Sequence, residues 1–391
     1  MRVTLSAIKA DTGSPAGHTK PSDGMIAAAQ QAVQSARARG FLLDGRVTYT
    51  GDDLCLTMVH THGSGSDPVH QFAWRTFLEM TDVAKQEGLY GAGQDLLVDA
   101  PSGNIRGAGP GVAEISFELL PKHRPAETFM VWTGDKCAPG MFNLPMYLLF
   151  ADPMHNGGLL LSPDLYKGFT ATVIDMNHAA ADRVTQIQLP EEHLLLAAAL
   201  RNPDRFAVES IHSRAYPDEQ IVSVAATRLH NIKGVYTGKD DPCAIVRTQR
   251  IFPAPEEVLE PWLTIDQIVT GDCRGSHNMP IMPAPINTAV TGAYCFPIIS
   301  AVGYSLNGDG KLSEAIDFFD NPIWDGVRAR VQAKGADLRR QGFFGVAMAS
   351  QEEQAYTGLQ ERDQELDGRF SLRAPQPVLA GRGEGAAVTA G

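Results

Sequence analysis

Aspartate residues recur at short glycine turns along this chain. Residues 49–55 read Tyr-Thr-Gly-Asp-Asp-Leu-Cys, and residues 236–243 repeat the pattern as Tyr-Thr-Gly-Lys-Asp-Asp-Pro-Cys. Weaker copies stand at 133–137 and 270–273, and a related turn follows Asp11. A single Gly-Asp turn needs no function, because Asp stabilises turns by bonding to its own backbone. A set of such turns beside predicted strands instead suggests that the carboxylates converge on one site.

The converging carboxylates would require positive charge nearby. The set consists of Asp11, Asp52, Asp53, Asp135, Asp240 and Asp241. Six like charges share a pocket only when protons or cations neutralise them. Oxygen donors with few histidines and no closely spaced cysteine pair favour Mg²⁺ over Zn²⁺, and several ions would be needed.

Two softer metal sites remain as alternatives. A cysteine lies two residues beyond an aspartate in three of the turns, at Cys55, Cys137 and Cys243, which allows soft-metal ligation or, more simply, small buried side chains. His60 and His62 allow a metal pair on one strand face, but their spacing favours side chains in solvent or in the core.

Lys239 is a candidate nucleophile. It lies between Tyr236 and the pair Asp240-Asp241. Carboxylates alone raise the pKa of a lysine, whereas divalent cations bound to them reverse the local field. Lys239 would then attack a carbonyl to form an imine, with Tyr236 as proton donor or acceptor. The alternative is an exposed turn lysine in a salt bridge.

Glycine-rich segments offer a phosphate cradle. Residues 90–95 read Tyr-Gly-Ala-Gly-Gln-Asp, and residues 102–111 contain four glycines. Backbone N–H groups in such loops bind phosphate oxygens. Neither segment matches a Walker or dinucleotide fingerprint.

The elements that must position these residues alternate between strands and helices. Period-two patterns predict strands at 3–7, 129–132, 169–173, 221–225 and 244–246. Helices are predicted from Asp23 to Arg39, from Asp67 to Gly88 and from Pro322 toward Gln341. We therefore expect a mixed α/β protein whose residues 1–370 form a single large domain. Residues 371–391, rich in Gly, Ala and Pro, are predicted to be a disordered tail.

Composition narrows the class of protein. The 391 residues carry a formal charge of −12, which argues against a nucleic-acid or anionic-membrane partner. No apolar run approaches the roughly 20 residues of a membrane helix, and the N-terminus lacks a signal-peptide pattern. The five cysteines form no CxxC spacing and read as reduced thiols. The expected location is the cytoplasm.

Taken together, the motifs resemble the fructose-1,6-bisphosphate aldolase/phosphatase family of archaea and deep-branching bacteria. They occur in order from the first strand to about Phe370 and comprise residues 8–11 with 17–18, 51–53, 89–97, 102–104, 135–136, 238–242, 274–278 and 353–357. The resemblance implies a bifunctional gluconeogenic enzyme. It would condense dihydroxyacetone phosphate with glyceraldehyde 3-phosphate, then hydrolyse the C1 phosphate of fructose 1,6-bisphosphate to release fructose 6-phosphate.

The resemblance also implies roles for individual residues. Lys239 would form the Schiff base, Tyr236 would shuttle the proton, and Asp11 would be the phosphatase base. The implied Mg²⁺ ligands are Asp11, His18, Asp52, Asp53, Gln94, Asp135, Asp240 and Asp241. The implied substrate contacts are His18, Tyr90, Gly103, Asn104, Lys136, Gln249, Arg250, Arg274 and Tyr356.

The family fold implied is a four-layer α-β-β-α sandwich assembled as a homo-octamer, with active sites near subunit contacts. One residue departs from the archaeal pattern: Cys295 stands where that pattern has Asp, so one substrate contact is in question. Two other functions remain open. One is a Mg²⁺-dependent sugar phosphatase in which Lys239 only binds phosphate, and the other is a non-catalytic sensor of sugar phosphates or cations.

Overall fold

The computed structural model describes residues 1–96, 109–120, 126–176, 183–203, 205–226, 242–271, 277–291, 296–340 and 359–373. The described strands form two main sheets and a separate hairpin. The strands are β1 Arg2–Asp11, β2 Asp44–Thr50, β3 Asp53–His60, β4 Gly111–Glu118, β5 Glu127–Asp135, β6 Phe169–Asp175, β7 Arg183–Leu189, β8 Phe206–Ser213, β9 Gln220–Val224, β10 Cys243–Thr248, β11 Ile268–Gly271, β12 His277–Pro280, β13 Met282–Pro283, β14 Ile298–Leu306, β15 Ile316–Asp317 and β16 Ser371–Leu372. All five predicted strands are therefore confirmed.

The smaller sheet has the order β2-β3-β1-β4, and its neighbours are antiparallel. The larger sheet has the order β13-β14-β5-β10-β9-β8-β6-β7-β16, with β15 paired to β14. The central strands β14, β5, β10, β9 and β8 are joined by antiparallel pairing. Because antiparallel neighbours run in opposite directions, strand ends and hairpin turns gather at common edges.

Alternation along the strands packs the two sheets face to face. Val3, Leu5 and Ala7 of β1 lie in one buried cluster with Ile245 of β10 and Val131 of β5. Side chains of the intervening positions point to the opposite faces, as a period of two requires. The sandwich interior thus consists of alternate residues from both sheets.

Helices cover the outer faces. The described helices are α1 Asp23–Ala38, α2 Asp67–Gln86, α3 Asn143–Phe150, α4 Gly158–Leu161, α5 His193–Arg201, α6 Pro255–Thr264, α7 Ile323–Arg340 and α8 Leu359–Arg369. Helices α1 and α2 pack on the smaller sheet, and the helices from α3 onward share a core with the larger sheet. The layers are therefore α-β-β-α, as the resemblance implied.

The predicted helix boundaries hold to within two residues. Helix α1 begins after Ser22, whose side chain accepts a hydrogen bond from the backbone of Met25. Helix α2 has Pro68 in its first turn and is followed by Gly88 at a φ of 67°. Helix α7 ends at Arg340, one residue before the predicted end.

The C-terminal end of the described chain belongs to the larger sheet. Ser371 and Leu372 pair with β7, and Arg373 forms an ion pair with Glu209. The first three residues of the predicted tail are thus part of the fold. Residues 374–391 lie outside the described residues, and their disorder stays a prediction.

Among the described residues, no helix is both long enough and apolar enough to span a membrane. Cys55, Cys137 and Cys243 are buried, reduced thiols, as expected. His60 is buried in β3 and its Nε2 lies 2.8 Å from Ser6 Oγ, whereas His62 is exposed. One histidine therefore lies in the core and the other in solvent, in agreement with the expectation that favoured these environments over a metal pair.

Candidate active site

Three of the predicted aspartates meet where β1 ends and the β2–β3 hairpin turns. Asp11, the last residue of β1, pairs across the sheet with Asp53, the first residue of β3. Thr50 pairs with Asp53, so Gly51 and Asp52 form the two-residue turn between the strands. A two-residue turn favours glycine because it requires a positive φ, and Gly51 has a φ of 59°.

The fourth aspartate arrives from the other sheet. Asp135 is the last residue of β5, and Thr133 of the same strand lies 2.6 Å from Thr50 through the two side-chain oxygens. A Cβ atom on Gly51 would overlap the Asp135 carboxylate. The absent side chain at Gly51 therefore allows Asp135 to lie directly against the hairpin turn.

Three basic side chains contact this cluster of carboxylates. Lys136 Nζ is 2.5 Å from Asp52 Oδ1 and 2.9 Å from Asp135 Oδ1. His18 Nδ1 is 2.9 Å from Asp52 Oδ2. Lys9, which is fully buried, has its Nζ 2.8 Å from Asp53 Oδ2. The basic groups balance part of the negative charge.

The environment shifts the pKa values of two neighbouring aspartates in opposite directions. Burial, followed by the charges of Asp52 and Asp53, raises the pKa of Asp11 well above its ordinary value. Burial also acts to raise the pKa of Asp52, but Lys136 and His18 outweigh it and hold that pKa far below its ordinary value. Asp11 is thus suited to exchange a proton, and Asp52 to remain a carboxylate.

The donor set fits a hard divalent cation. Asp11, His18 and Asp52 form one group whose ligand atoms lie within 4.8 Å of one another, and Asp52, Asp53 and Asp135 form a second. Asp52 belongs to both groups. Buried carboxylate oxygens with a single imidazole are the ligands expected for Mg²⁺ rather than for a thiolate-bound metal. The geometry allows two neighbouring cations to share Asp52.

Tyr90 lies at the exposed edge of this cluster. Its backbone pairs with Ser14, and its ring meets that of His18 edge to face, with centroids 5.0 Å apart. Tyr90 is 44% exposed, so its ring is open to a ligand. Gln94 opens a short 3₁₀ helix, and the preceding residue, Gly93, donates a backbone hydrogen bond to Thr12. The backbone of Gln94 is therefore close to the end of β1.

Several predicted site residues lie outside the described residues. They are Gly103, Asn104, Tyr236, Lys239, Asp240, Asp241, Arg274, Tyr356 and also Cys295. The next described residue is Pro242, whose carbonyl accepts a hydrogen bond from the backbone N–H of Gly134, beside Asp135. The residue that follows Asp241 in sequence is therefore adjacent to the cluster.

Gln249 and Arg250 are not brought to the same place. Strand β10 runs antiparallel to β5, with Cys243 opposite Thr133 and Thr248 opposite Thr128. Gln249 and Arg250 follow the far end of β10, so they lie roughly 25 Å along the strand from Asp135, at about 3.3 Å per residue. Both are exposed and have positive φ angles of 78° and 64°.

Two buried charged residues of the site, Lys9 and Asp95, have no role in the sequence-based prediction. Lys9 lies in the motif of β1 but was given no role there, because an alternating strand pattern does not show which polar residue is buried. Asp95 Oδ2 accepts a hydrogen bond from the backbone N–H of Asp11, 2.9 Å away, and so holds the end of β1. Asp95 directly follows Gln94, a predicted Mg²⁺ ligand, and this neighbourhood is the feature of the sequence that could have identified it.

Comparison with known proteins gives a consistent result. A family model described as fructose-1,6-bisphosphatase matches residues 2–371. A protein of Thermus thermophilus named fructose-1,6-bisphosphate aldolase/phosphatase is 49% identical over 95% of this chain and 100% of its own length. Proteins of the same name from Cenarchaeum symbiosum and Ignicoccus hospitalis are 42% and 41% identical, each over at least 95% of both chains. The chain therefore belongs to the fructose-1,6-bisphosphate aldolase/phosphatase family.

Proposed function

We propose that this protein is a bifunctional enzyme that makes fructose 1,6-bisphosphate from dihydroxyacetone phosphate and glyceraldehyde 3-phosphate, and then hydrolyses the C1 phosphate. The observation that carries the proposal is the pair of acidic groups sharing Asp52. These groups consist of the implied Mg²⁺ ligands whose side chains the structure describes: Asp11, His18, Asp52, Asp53 and Asp135. The names of the relatives support both activities.

The aldol step would use Lys239 and Tyr236. Lys239 Nζ adds to the C2 carbonyl of dihydroxyacetone phosphate, and loss of water leaves an imine. Tyr236 takes a proton from C3, and the resulting carbanion attacks the aldehyde carbon of glyceraldehyde 3-phosphate. Tyr236 then returns the proton to the alkoxide oxygen that this attack forms. Water then hydrolyses the imine, which restores Lys239 and releases fructose 1,6-bisphosphate. The place of Pro242 beside Gly134 supports a position for this segment next to the carboxylates.

The phosphatase step would use Asp11 as the base. Bound Mg²⁺ would supply charge neutralisation for the phosphate and lower the pKa of water. Asp11, Asp52, Asp53 and Asp135 would hold it, together with His18, Gln94, Asp240 and Asp241. Asp11 lies at the end of β1 against Asp52 and Asp53, where its carboxylate could accept the proton of the attacking water. Both steps in one site would require the segment 236–241 and Tyr356 to move between them.

The remaining predicted substrate contacts divide between one chain and its neighbour. His18, Tyr90 and Lys136 lie at the carboxylates, and we expect Gly103, Asn104, Arg274 and Tyr356 to join them. Gln249 and Arg250 lie at the opposite end of β10. We propose that these two residues contact substrate across a subunit contact of a homo-octamer, which sedimentation measurements on wild type and Arg250→Ala would examine.

Location in the cytoplasm stays a prediction.

Borohydride trapping tests the proposed function. The protein is incubated with Mg²⁺ and dihydroxyacetone phosphate, reduced with borohydride and digested for mass spectrometry. We expect an adduct on Lys239 that is absent in Lys239→Ala and retained in Lys311→Ala, which removes an exposed lysine of the β14–β15 turn. Phosphate release from fructose 1,6-bisphosphate without an adduct would leave a phosphatase only, and the absence of both reactions would favour a sensor.

A further inference from the structure

Lys136 occupies an unusual position for a substrate-binding lysine. Its side chain is only 6% exposed, and its ammonium lies between the carboxylates of Asp52 and Asp135. Both belong to the acidic group that Asp53 completes. Two carboxylates occupy two of its three N–H donors, and their negative charge opposes the approach of a phosphate to the same ammonium.

The backbone explains how the side chain reaches this position. Consecutive residues of a strand point to opposite faces, so Asp135 and Lys136 would diverge if β5 continued. Strand β5 ends at Asp135, and Lys136 takes a φ of 63°, in the left-handed region that side chains other than glycine rarely adopt. The resulting bend allows both side chains to meet at Asp52.

A divalent cation and the Lys136 ammonium require the same carboxylates. The ligand atoms of Asp52, Asp53 and Asp135 lie within 4.8 Å of one another, a span that one small cation bridges. A cation bound to Asp52 and Asp135 would repel an ammonium at 2.5 Å and 2.9 Å from the same two side chains. The two positive groups therefore compete.

Lys136 has more freedom to leave than Lys9. Lys9 belongs to β1, which is paired on one side with β3 and on the other with β4, and its residue is completely buried. Lys136 lies on a bend beyond the end of β5. It shares the Asp52 carboxylate with His18, which is 21% exposed and contacts the exposed Tyr90 ring. The open edge of the site is thus close to Lys136.

We propose that Lys136 is a displaceable counter-ion, which a divalent cation at Asp52, Asp53 and Asp135 releases from the carboxylates so that it can bind the substrate phosphate. The proposal rests on the proposed function, because it takes the cation and the phosphate from there. It makes phosphate binding dependent on prior cation binding. By linkage, phosphate then strengthens cation binding by the same factor.

Lysine acetylation provides a direct test in the wild-type protein. The protein is treated with a water-soluble acetylating reagent in EDTA or in Mg²⁺, and labelled peptides are quantified by mass spectrometry. We expect Lys136 to be protected in EDTA and labelled in Mg²⁺. Lys9 is the internal control, and it should stay protected under both conditions.

Titration calorimetry with Mg²⁺ gives a second, independent readout. Lys136→Met removes the competitor and should bind Mg²⁺ at least roughly tenfold more tightly, if the ion-paired state of wild type is populated above about 90%. Lys136→Arg keeps the competing charge and should not gain affinity. Lys311→Met removes an exposed charge elsewhere and should match wild type. In Mg²⁺, inorganic phosphate should bind more weakly to Lys136→Met than to wild type.

The outcomes separate this proposal from the proposed function. Mg²⁺ binding and phosphate release with Lys136 still protected, or with unchanged affinity in Lys136→Met, would overturn the counter-ion proposal alone. Failure of wild type to bind Mg²⁺ would overturn the counter-ion proposal together with the Mg²⁺-dependent phosphatase step. Release of Lys136 by Mg²⁺ with tighter binding in Lys136→Met would establish the proposal even if no adduct forms on Lys239.

Discussion

At the scale of single residues, Gly51 combines two requirements that only glycine meets. Its φ of 59° belongs to the left-handed region, and a Cβ atom there would overlap the Asp135 carboxylate. The two requirements have different causes, since the first comes from the hairpin turn and the second from the packing of the other sheet. A substitution can therefore separate backbone strain from damage to the site.

Gly51→Ala should weaken Mg²⁺ binding and phosphate release by at least about tenfold, because Asp135 must move away from Asp52. Isothermal titration and a phosphate-release assay would measure the two effects. Gly40→Ala is the matched control, since Gly40 has a φ of 71° but no atom near the position of its Cβ. A similar loss of Mg²⁺ affinity in both variants would show that backbone strain, rather than overlap with Asp135, is responsible.

His60 gives a residue-scale prediction about pH. Burial lowers the pKa of His60 from 6.5 to about 4, against an opposing effect from Glu114. Between these two values the unfolded chain binds a proton that the folded chain does not, so the free energy of unfolding should fall as the pH falls from 6.5 to 4. The contribution of His60 between pH 7 and pH 5 is roughly 2 kcal/mol.

The measurement is denaturant unfolding at both pH values and at one protein concentration. His60→Gln, which keeps a side-chain amide near Ser6, should lose less stability over this interval than wild type. Equal losses in the two proteins would mean that other groups govern the acid sensitivity.

At the scale of elements, strand β10 connects the site to a separate charged cluster. Its first residue, Cys243, lies opposite Thr133 near the carboxylates, and Arg247 lies near its other end. Arg247 is fully buried, and its guanidinium pairs with Glu127 and Glu219 at 3.2 Å and 2.5 Å. These ion pairs link β10 to the start of β5 and to the residue before β9.

Arg247→Met should lower the free energy of unfolding by roughly 3–5 kcal/mol, because it removes the buried guanidinium that pairs with the carboxylates of Glu127 and Glu219. Chemical denaturation monitored by circular dichroism would measure the loss. The triple variant Arg247→Met, Glu127→Leu and Glu219→Leu should be more stable than the single variant, since it removes both carboxylates together with the guanidinium. A triple variant that is no more stable would argue against unpaired carboxylates as the cause.

At the scale of the whole molecule, the candidate site is assembled by the contact between the two sheets. Asp11, Asp52 and Asp53 come from the smaller sheet and its hairpin, whereas Asp135 and Lys136 come from the end of β5 in the larger sheet. A cation that binds carboxylates of both sheets would therefore hold the layers together. Binding and folding are linked because the unfolded chain has no such site.

Mg²⁺ should accordingly stabilise the folded wild-type protein and raise its thermal unfolding midpoint. At a free Mg²⁺ concentration of a hundred times the dissociation constant, the stabilisation should be roughly 2.7 kcal/mol. Asp52→Asn should lose most of this stabilisation, because Asp52 belongs to both acidic groups. Asp309→Asn, an exposed aspartate outside the site, should keep it. Differential scanning calorimetry over a Mg²⁺ series would decide, and an equal shift in Asp52→Asn would contradict a site at these carboxylates.

Much of this organisation follows from the sequence alone. The alternation in β1, the Asp-Pro start of α2 and the glycine after it are local signals, and local signals determine which segments form strands and helices. The repeated Gly-Asp turns likewise identified Asp11, Asp52, Asp53 and Asp135 as a group. The order of the motifs indicated the family resemblance, and that resemblance predicted the four-layer sandwich and the two reactions.

Only the tertiary structure decided which neighbours in sequence became neighbours in space. Gln249 and Arg250 follow Asp241 closely in the chain, yet an extended strand carries them roughly 25 Å from the carboxylates. Lys136, beside Asp135, instead turns back toward Asp52, and Gly51 is constrained by a carboxylate from another sheet. Such relations depend on strand direction and on packing between layers, which the alternation of residue types does not encode.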